Sequence, residues 1–150
     1  MSAADIWIQQ TFPNLRTSPY KVTSAFTDTY NCIAWAAGDT ENWWWPSPFD
    51  YWPVEPREAT EAGFIAAFRT LDYEPCADGN WENGFEKVAL YFNAAGPQHM
   101  ARQLADGTWT SKLGEGWDIQ HLTLEGVESK GYGAAMVFMK RPIIFSGGLK

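Results

Sequence analysis

The chain is poor in the residues that most often announce a function. It has two cysteines, two histidines and only 11 Lys plus Arg against 18 Asp plus Glu, for a net charge of −7 over 150 residues. That balance argues against a nucleic-acid backbone or an anionic membrane as partner. No apolar run approaches the roughly 18 residues a membrane span needs. The first residues, Met1-Ser2-Ala3-Ala4-Asp5, lack a basic stretch followed by an apolar one, so no signal peptide is expected and a cytoplasmic setting is. In such a setting two cysteines are more often free than bridged. There is no Gly-rich phosphate loop, no serine nucleophile elbow and no dinucleotide fingerprint. No internal repeat and no linker divides the chain, so residues 1–150 are expected to form a single domain.

What the chain does have is aromatic residues, 16% of the total with nine Trp, and a hydrophobic fraction of 45% that excludes disorder. Residues 4–10 fit a short helix or a strand, and Pro13 ends it. Residues 11–29 read as a wandering segment of turn and cap residues. Asn31 and Gly38 bracket a short small-residue helix, with Asp28 as a second possible cap. Residues 43–53 hold six aromatics and three prolines, which forbids a regular helix. This loop is expected to lie as a lid on the core, with Trp43, Trp44 and Trp45 as candidate walls of a substrate groove. Residues 58–71 carry Phe64, Ile65, Phe68 and Leu71 at helical spacing. From Glu86 the period becomes two, giving strands over 88–92, 98–104, 108–113 and 133–139, with a loop over 114–118 leading into residues 119–124 before the last of them. Helices first and an antiparallel sheet after is an α+β order.

Cys32 stands in the first turn of the 31–38 helix, where the positive end of the dipole favours thiolate. A thiol used as nucleophile needs a base within hydrogen-bond reach, and the chain offers only His99 and His121. His99 opens a strand with Ala101 and Gln103 on its face. The Asp106-Gly107 hairpin then sets its neighbour. A two-residue turn puts Thr110 and Lys112 on that face. A type I turn with Gly107 as a left-handed bulge pairs Leu104 with Thr108 and puts Ser111 there. Asp-Gly-Thr suits the bulged form. Asp118 is the competing residue to hold the imidazole, or else a plain helix cap. Cys32, Cys76, His99 and His121 are also a conceivable zinc set, but without paired ligand spacing. No cofactor is called for.

The order of Asn31-Cys32 with its helix, His99 opening a strand, and Ser111-Lys112-Leu113-Gly114 resembles the papain-like cysteine peptidase superfamily, including its small NlpC/P60 and CHAP relatives. Ser111-Lys112-Leu113-Gly114 is similar to the Asn-Ser-Trp-Gly segment of those enzymes, with Ser111 where their orienting Asn stands. The chain also resembles a group of bacterial proteins of unassigned activity that share Tyr30-Asn31-Cys32-Ile33-Ala34-Trp35-Ala36, over most of residues 28–140. The resemblance implies a papain-like α+β fold, with N-terminal helices packed on a C-terminal sheet. It also implies a cysteine hydrolase that cleaves or transfers an amide acyl group of a peptide or related substrate. Cys32 would be nucleophile, His99 base, and Ser111 or Asp118 orienter. Those enzymes often carry Gln upstream of the cysteine; here Phe26 stands six residues before, so the oxyanion falls to the Cys32 N–H and the Asn31 side chain. The alternative is a module that kept the fold without catalysis, a binding or immunity-type protein using the Trp-rich loop as its contact surface.

Overall fold

A computed structural model describes residues 1–143. Its elements are α1 (Ala3–Thr11), β1 (Tyr20–Val22), α2 (Cys32–Ala37), α3 (Glu61–Arg69), β2 (Glu74–Cys76), β3 (Phe85–Asn93), β4 (Gly96–Gln103), β5 (Trp109–Lys112), β6 (Asp118–His121) and β7 (Ala134–Pro142), with short 3-10 turns at Pro13–Arg16 and Leu124–Val127. The strands form one seven-stranded antiparallel sheet in the order β1-β6-β5-β4-β3-β7-β2, and the fold is mixed α+β. No helix among the described residues is long and apolar enough to cross a membrane.

Alternation along the strands separates two apolar layers. Val88, Leu90, Met100 and Met139 face α2, α3 and the Trp-rich loop, where Ile33, Phe64, Phe68 and Tyr73 are buried. Ala89, Tyr91, Ala101, Trp109 and Ile119 face α1 and the 3-10 turns, where Ile8, Phe12, Leu15 and Val127 are buried. Each of the large buried side chains contributes about 1.5–3 kcal/mol by leaving water.

Two edge strands lie outside the expected set. β1 and β2 are three residues each and sit at the two edges of the sheet, where β6 and β7 supply their partners. Neither segment is long enough to show an alternation of its own, so long-range pairing creates them. The sheet therefore takes in chain from the N-terminal half and is not purely C-terminal.

Two irregularities shape the end of the sheet where the candidate residues gather. Tyr91 pairs His99 while Phe92 pairs Pro97, so Gln98 is an unpaired bulge residue directly before His99. Leu90 pairs Val137 while Tyr91 pairs Ala135, which leaves Met136 as the matching bulge in β7. Gly133 leads into β7 at φ +75°, and a Cβ there would lie 1.7 Å from the Phe92 carbonyl oxygen, so no other residue fits.

Candidate active site

Asn31 caps α2: its Oδ1 accepts from the Ala34 N–H at 3.0 Å, and Gly38 closes the helix in the left-handed region at φ +83°. Asn31, not Asp28, is therefore the cap, and Cys32 is the first helical residue. The Asn31 carboxamide does a second job. Its Oδ1 accepts from the Trp44 N–H at 3.1 Å and its Nδ2 donates to the Trp44 carbonyl at 2.7 Å. Both ends of the amide are engaged in holding the Trp-rich loop.

Cys32 is only 7% exposed, and its Sγ points at the Gln98 carbonyl oxygen 3.9 Å away. Burial pushes the thiol up to about 11, against the N–H groups of Met100 and Ile33, its own N–H and the Lys112 ammonium, which all pull it down. The expectation of a dipole-stabilised thiolate is thereby corrected. α2 has six residues, too short for a strong dipole, and desolvation beside a carbonyl outweighs it.

The hairpin after β4 takes the bulged form. The Leu104 N–H donates to the Thr108 carbonyl at 2.7 Å, and Gly107 stands at φ +88°. Arg102 pairs Thr110 and Gln103 pairs Trp109, so Ser111 shares the face of His99. Ser111 Oγ lies 3.0 Å from His99 Nε2 and 2.8 Å from His121 Nε2, and His121 Nδ1 lies 2.8 Å from the Thr123 carbonyl oxygen. His99 is fully buried, and its Nδ1 has no partner among the described residues. Tyr132 stacks on the imidazole with centroids 4.0 Å apart and planes within 7°, and Tyr91 meets it edge-on at 5.1 Å. Burial, then the neighbouring His121, holds His99 well below the usual imidazole range; burial brings His121 down to about 4. Both rings are neutral at pH 7.

Cys32 and His99 approach this seam from opposite sides. Cys32 belongs to the layer with Met100 and Leu90, and the Tyr91 that packs on His99 belongs to the other. No hydrogen bond joins thiol to imidazole. Tyr132 is the neighbour common to both. Burial, followed by the charge of a Cys32 thiolate, raises its hydroxyl well above the ordinary range, and its ring covers His99.

Asp118 does not orient His99. Its Oδ2 accepts from the Tyr30 hydroxyl at 2.7 Å, on the α2 side of the sheet. Two residues stand between it and His121 on one strand, so the two side chains face opposite ways. Lys112, its cross-strand partner, is equally buried and donates to the carbonyls of Thr27, Gly114 and Gly116 at 2.6–2.9 Å. Of the three tryptophans expected at a groove, Trp44 is buried and unavailable as a wall. Trp44 is buried against Trp52, Phe68 and Tyr51, Trp45 meets Phe64 edge-on, and Trp43 is half-buried. Trp44 and Trp52 bring the loop into the core, and Asn31 pins it there at Trp44.

Cys32 and Cys76 are both free. Among the described residues no three His, Cys, Asp or Glu side chains converge as metal ligands. A surface cleft of about 1050 Å³, lined by Trp81, Phe85, Glu86, Gln103 and Arg141, lies at the other end of the strands and touches neither Cys32 nor His99. Sequence reasoning missed Tyr132 and the link from Ser111 to His121. The second was accessible in principle. The Gly114–Trp117 turn closes a β5–β6 hairpin that pairs Ser111 with Ile119 and so puts His121 on the Ser111 face.

The class defined so far is a mixed α+β domain with a buried thiol and a buried histidine–serine–histidine chain meeting at a bulged strand. Residues 21–140 match the family described as a domain of unknown function, DUF7689, and the chain belongs to that family. No curated protein and no solved structure matches it.

Proposed function

We propose that the chain is a papain-like cysteine hydrolase or acyl-transferase acting on an amide, with this structure as its closed, resting form. The observation that carries the reading is His99 Nδ1: a fully buried imidazole nitrogen without a partner among the described residues, one residue along the strand from the carbonyl at which Cys32 Sγ points. An unpaired buried nitrogen is costly, and a base awaiting a proton is a reason to keep one.

In the reaction, Tyr132 moves off the imidazole and the strand end at the Gln98 bulge shifts, so that Cys32 Sγ leaves the Gln98 carbonyl and reaches Nδ1. The thiol proton passes to Nδ1 as Sγ attacks the amide carbon. Because the resting pair is neutral thiol and neutral imidazole, proton transfer accompanies attack and does not precede it. The Cys32 N–H is the donor available to the oxyanion. The tetrahedral intermediate collapses with loss of the amine, which takes the proton back from Nδ1. Water, or an acceptor amine in transfer, then attacks the thioester with His99 again as base. Ser111 holds Nε2 throughout.

The test is iodoacetamide labelling of Cys32 followed by mass spectrometry. Wild-type protein should label at pH 7 about a hundredfold faster than His99→Ala, the low end of general-base effects. Equal rates would sink the hydrolase reading.

A second reading, a papain-like module without catalysis, is favoured by one observation: thiol and imidazole are both buried and share no hydrogen bond. On that reading the labelling rate in wild type and in His99→Ala follows only global unfolding, and urea below the transition accelerates both equally.

A further inference from the structure

We propose that His121 is a positioning residue that fixes the tautomer of His99 through the Ser111 hydroxyl, so that the unprotonated nitrogen of His99 is Nδ1. The proposal rests on the hydrolase reading for its purpose, though not for its geometry.

The argument starts at the far end of the chain. A carbonyl oxygen only accepts, so the 2.8 Å contact between His121 Nδ1 and the Thr123 carbonyl requires a proton on Nδ1. In a neutral imidazole that leaves a lone pair on Nε2. Ser111 Oγ is 2.8 Å from that lone pair, and its single hydrogen must point there, since two lone pairs at that distance repel. The hydroxyl then meets His99 Nε2 with an acceptor lone pair at 3.0 Å, and only a protonated Nε2 satisfies it. Neutral His99 thus carries its proton on Nε2 and a lone pair on Nδ1. Every hydrogen in the chain is set in turn by a main-chain oxygen at position 123.

Ser111 alone does not accomplish this. A hydroxyl is both donor and acceptor and fits either tautomer of His99 equally well. Without His121, nothing sets the direction of its hydrogen, and the Nε2-protonated form of His99 loses its advantage. His99 then also populates the form with the proton on Nδ1, the nitrogen that has to be empty to take a proton from a thiol. His121 converts an indifferent hydroxyl into an acceptor facing His99. It never touches the thiol or a substrate, and so it is a positioning residue and not a second base.

Imidazole 15N–1H correlation spectra at pH 7 test the proposal, and the chain's two histidines make assignment simple. Wild-type protein should show His121 protonated on Nδ1 and His99 protonated on Nε2. A wild-type His99 protonated on Nδ1 overturns the proposal without any variant. In His121→Phe, His99 should no longer be held in one tautomer, with the Nδ1-protonated form appearing, and its contribution to Cys32 labelling should fall about twofold or more. His121→Gln supplies an amide oxygen in place of Nε2 and should keep both the tautomer and the labelling rate. An unchanged His99 tautomer in folded His121→Phe overturns the proposal. The two readings fail separately. The stated tautomers with an inert Cys32 sink the hydrolase and leave this inference standing, whereas a reactive, His99-dependent thiol beside an Nδ1-protonated His99 does the reverse.

Discussion

Tyr132 lies flat on His99, and it is held there by its own turn. The Ser129 Oγ accepts from the Tyr132 N–H at 3.2 Å, the Ser129 and Gly133 main chains bond to each other, and Asn93 Nδ2 donates to the carbonyls of Lys130 and Gly131. The cover over the imidazole is thus one ring on a short, well-tied turn.

Replacing that ring with a small side chain uncovers His99 without touching the hydrogen-bonded chain beneath it. Tyr132→Ala should raise the iodoacetamide labelling rate of Cys32 at pH 7 by tenfold or more. Lost packing of a half-buried aromatic should lower stability in urea by about 2 kcal/mol. A labelling rate that rises only in proportion to the unfolded fraction would mean the ring covers nothing reactive.

Asn31 joins helix capping to loop anchoring, so its variants separate the two. Asn31→Ala removes a cap and two contacts to the Trp44 main chain, and it should cost about 2–3 kcal/mol in urea unfolding. Asn31→Asp keeps an acceptor for both N–H groups but sets a carboxylate against the Trp44 carbonyl. Near-UV circular dichroism should then report a displaced Trp loop while far-UV helicity stays close to wild type.

The buried histidines make the fold acid-sensitive. The imidazole of His121 is depressed in the native state to about 4 from its ordinary 6.5, with burial as first cause, and His99 is depressed further in the same direction. Below pH 6.5 the unfolded chain takes up protons that the native state refuses, so stability present above that pH is lost as pH falls toward 4. The loss due to His121 is on the order of 3 kcal/mol. His121→Gln should flatten the urea-midpoint curve between pH 6.5 and 4, and an unchanged slope would contradict the burial of a neutral ring.

Lys112 is expected to be structural. Its ammonium satisfies three carbonyls that close the mouth of the β5–β6 hairpin, and Asp118 sits across the strand pair. Lys112→Met leaves those carbonyls and a buried carboxylate uncompensated and should cost about 3–5 kcal/mol. Lys112→Arg should not restore the loss, because a planar guanidinium cannot converge on three oxygens arranged for an ammonium. Thermal unfolding of the two variants checks both statements.

The parts of this arrangement that are legible in the sequence are those set by local chemistry. Asn31 and Gly38 bracket α2 because one side chain can cap and the other can take positive φ. Gly107 fixes the β4–β5 hairpin in the same way, and strand alternation then carries Ser111 to His99. The parts that are not legible depend on distant chain. The thiol of Cys32 is raised by burial under chain far from it in sequence, which outweighs a dipole visible in the adjacent residues. The proline-rich aromatic loop reads as a lid on the core, but nothing local shows that a single Asn side chain ties it down at Trp44. Tyr132 reaches His99 from a turn whose sequence, Ser129-Lys130-Gly131-Tyr132-Gly133, signals only a turn.

The ladder between β4 and β5 has two residue pairs, where β3 and β4 share six and β3 and β7 share eight. Mechanically, the sheet is two plates, β1-β6-β5 and β4-β3-β7-β2, riveted at one end and open at the other. Across the joint, α2 braces one side through the Trp35 indole N–H to Thr110 Oγ1 at 2.9 Å, and the hydrogen bond from His99 to Ser111 braces the other. The bond from His99 to Ser111 therefore closes the open end of the joint, where the ladder itself has no rung.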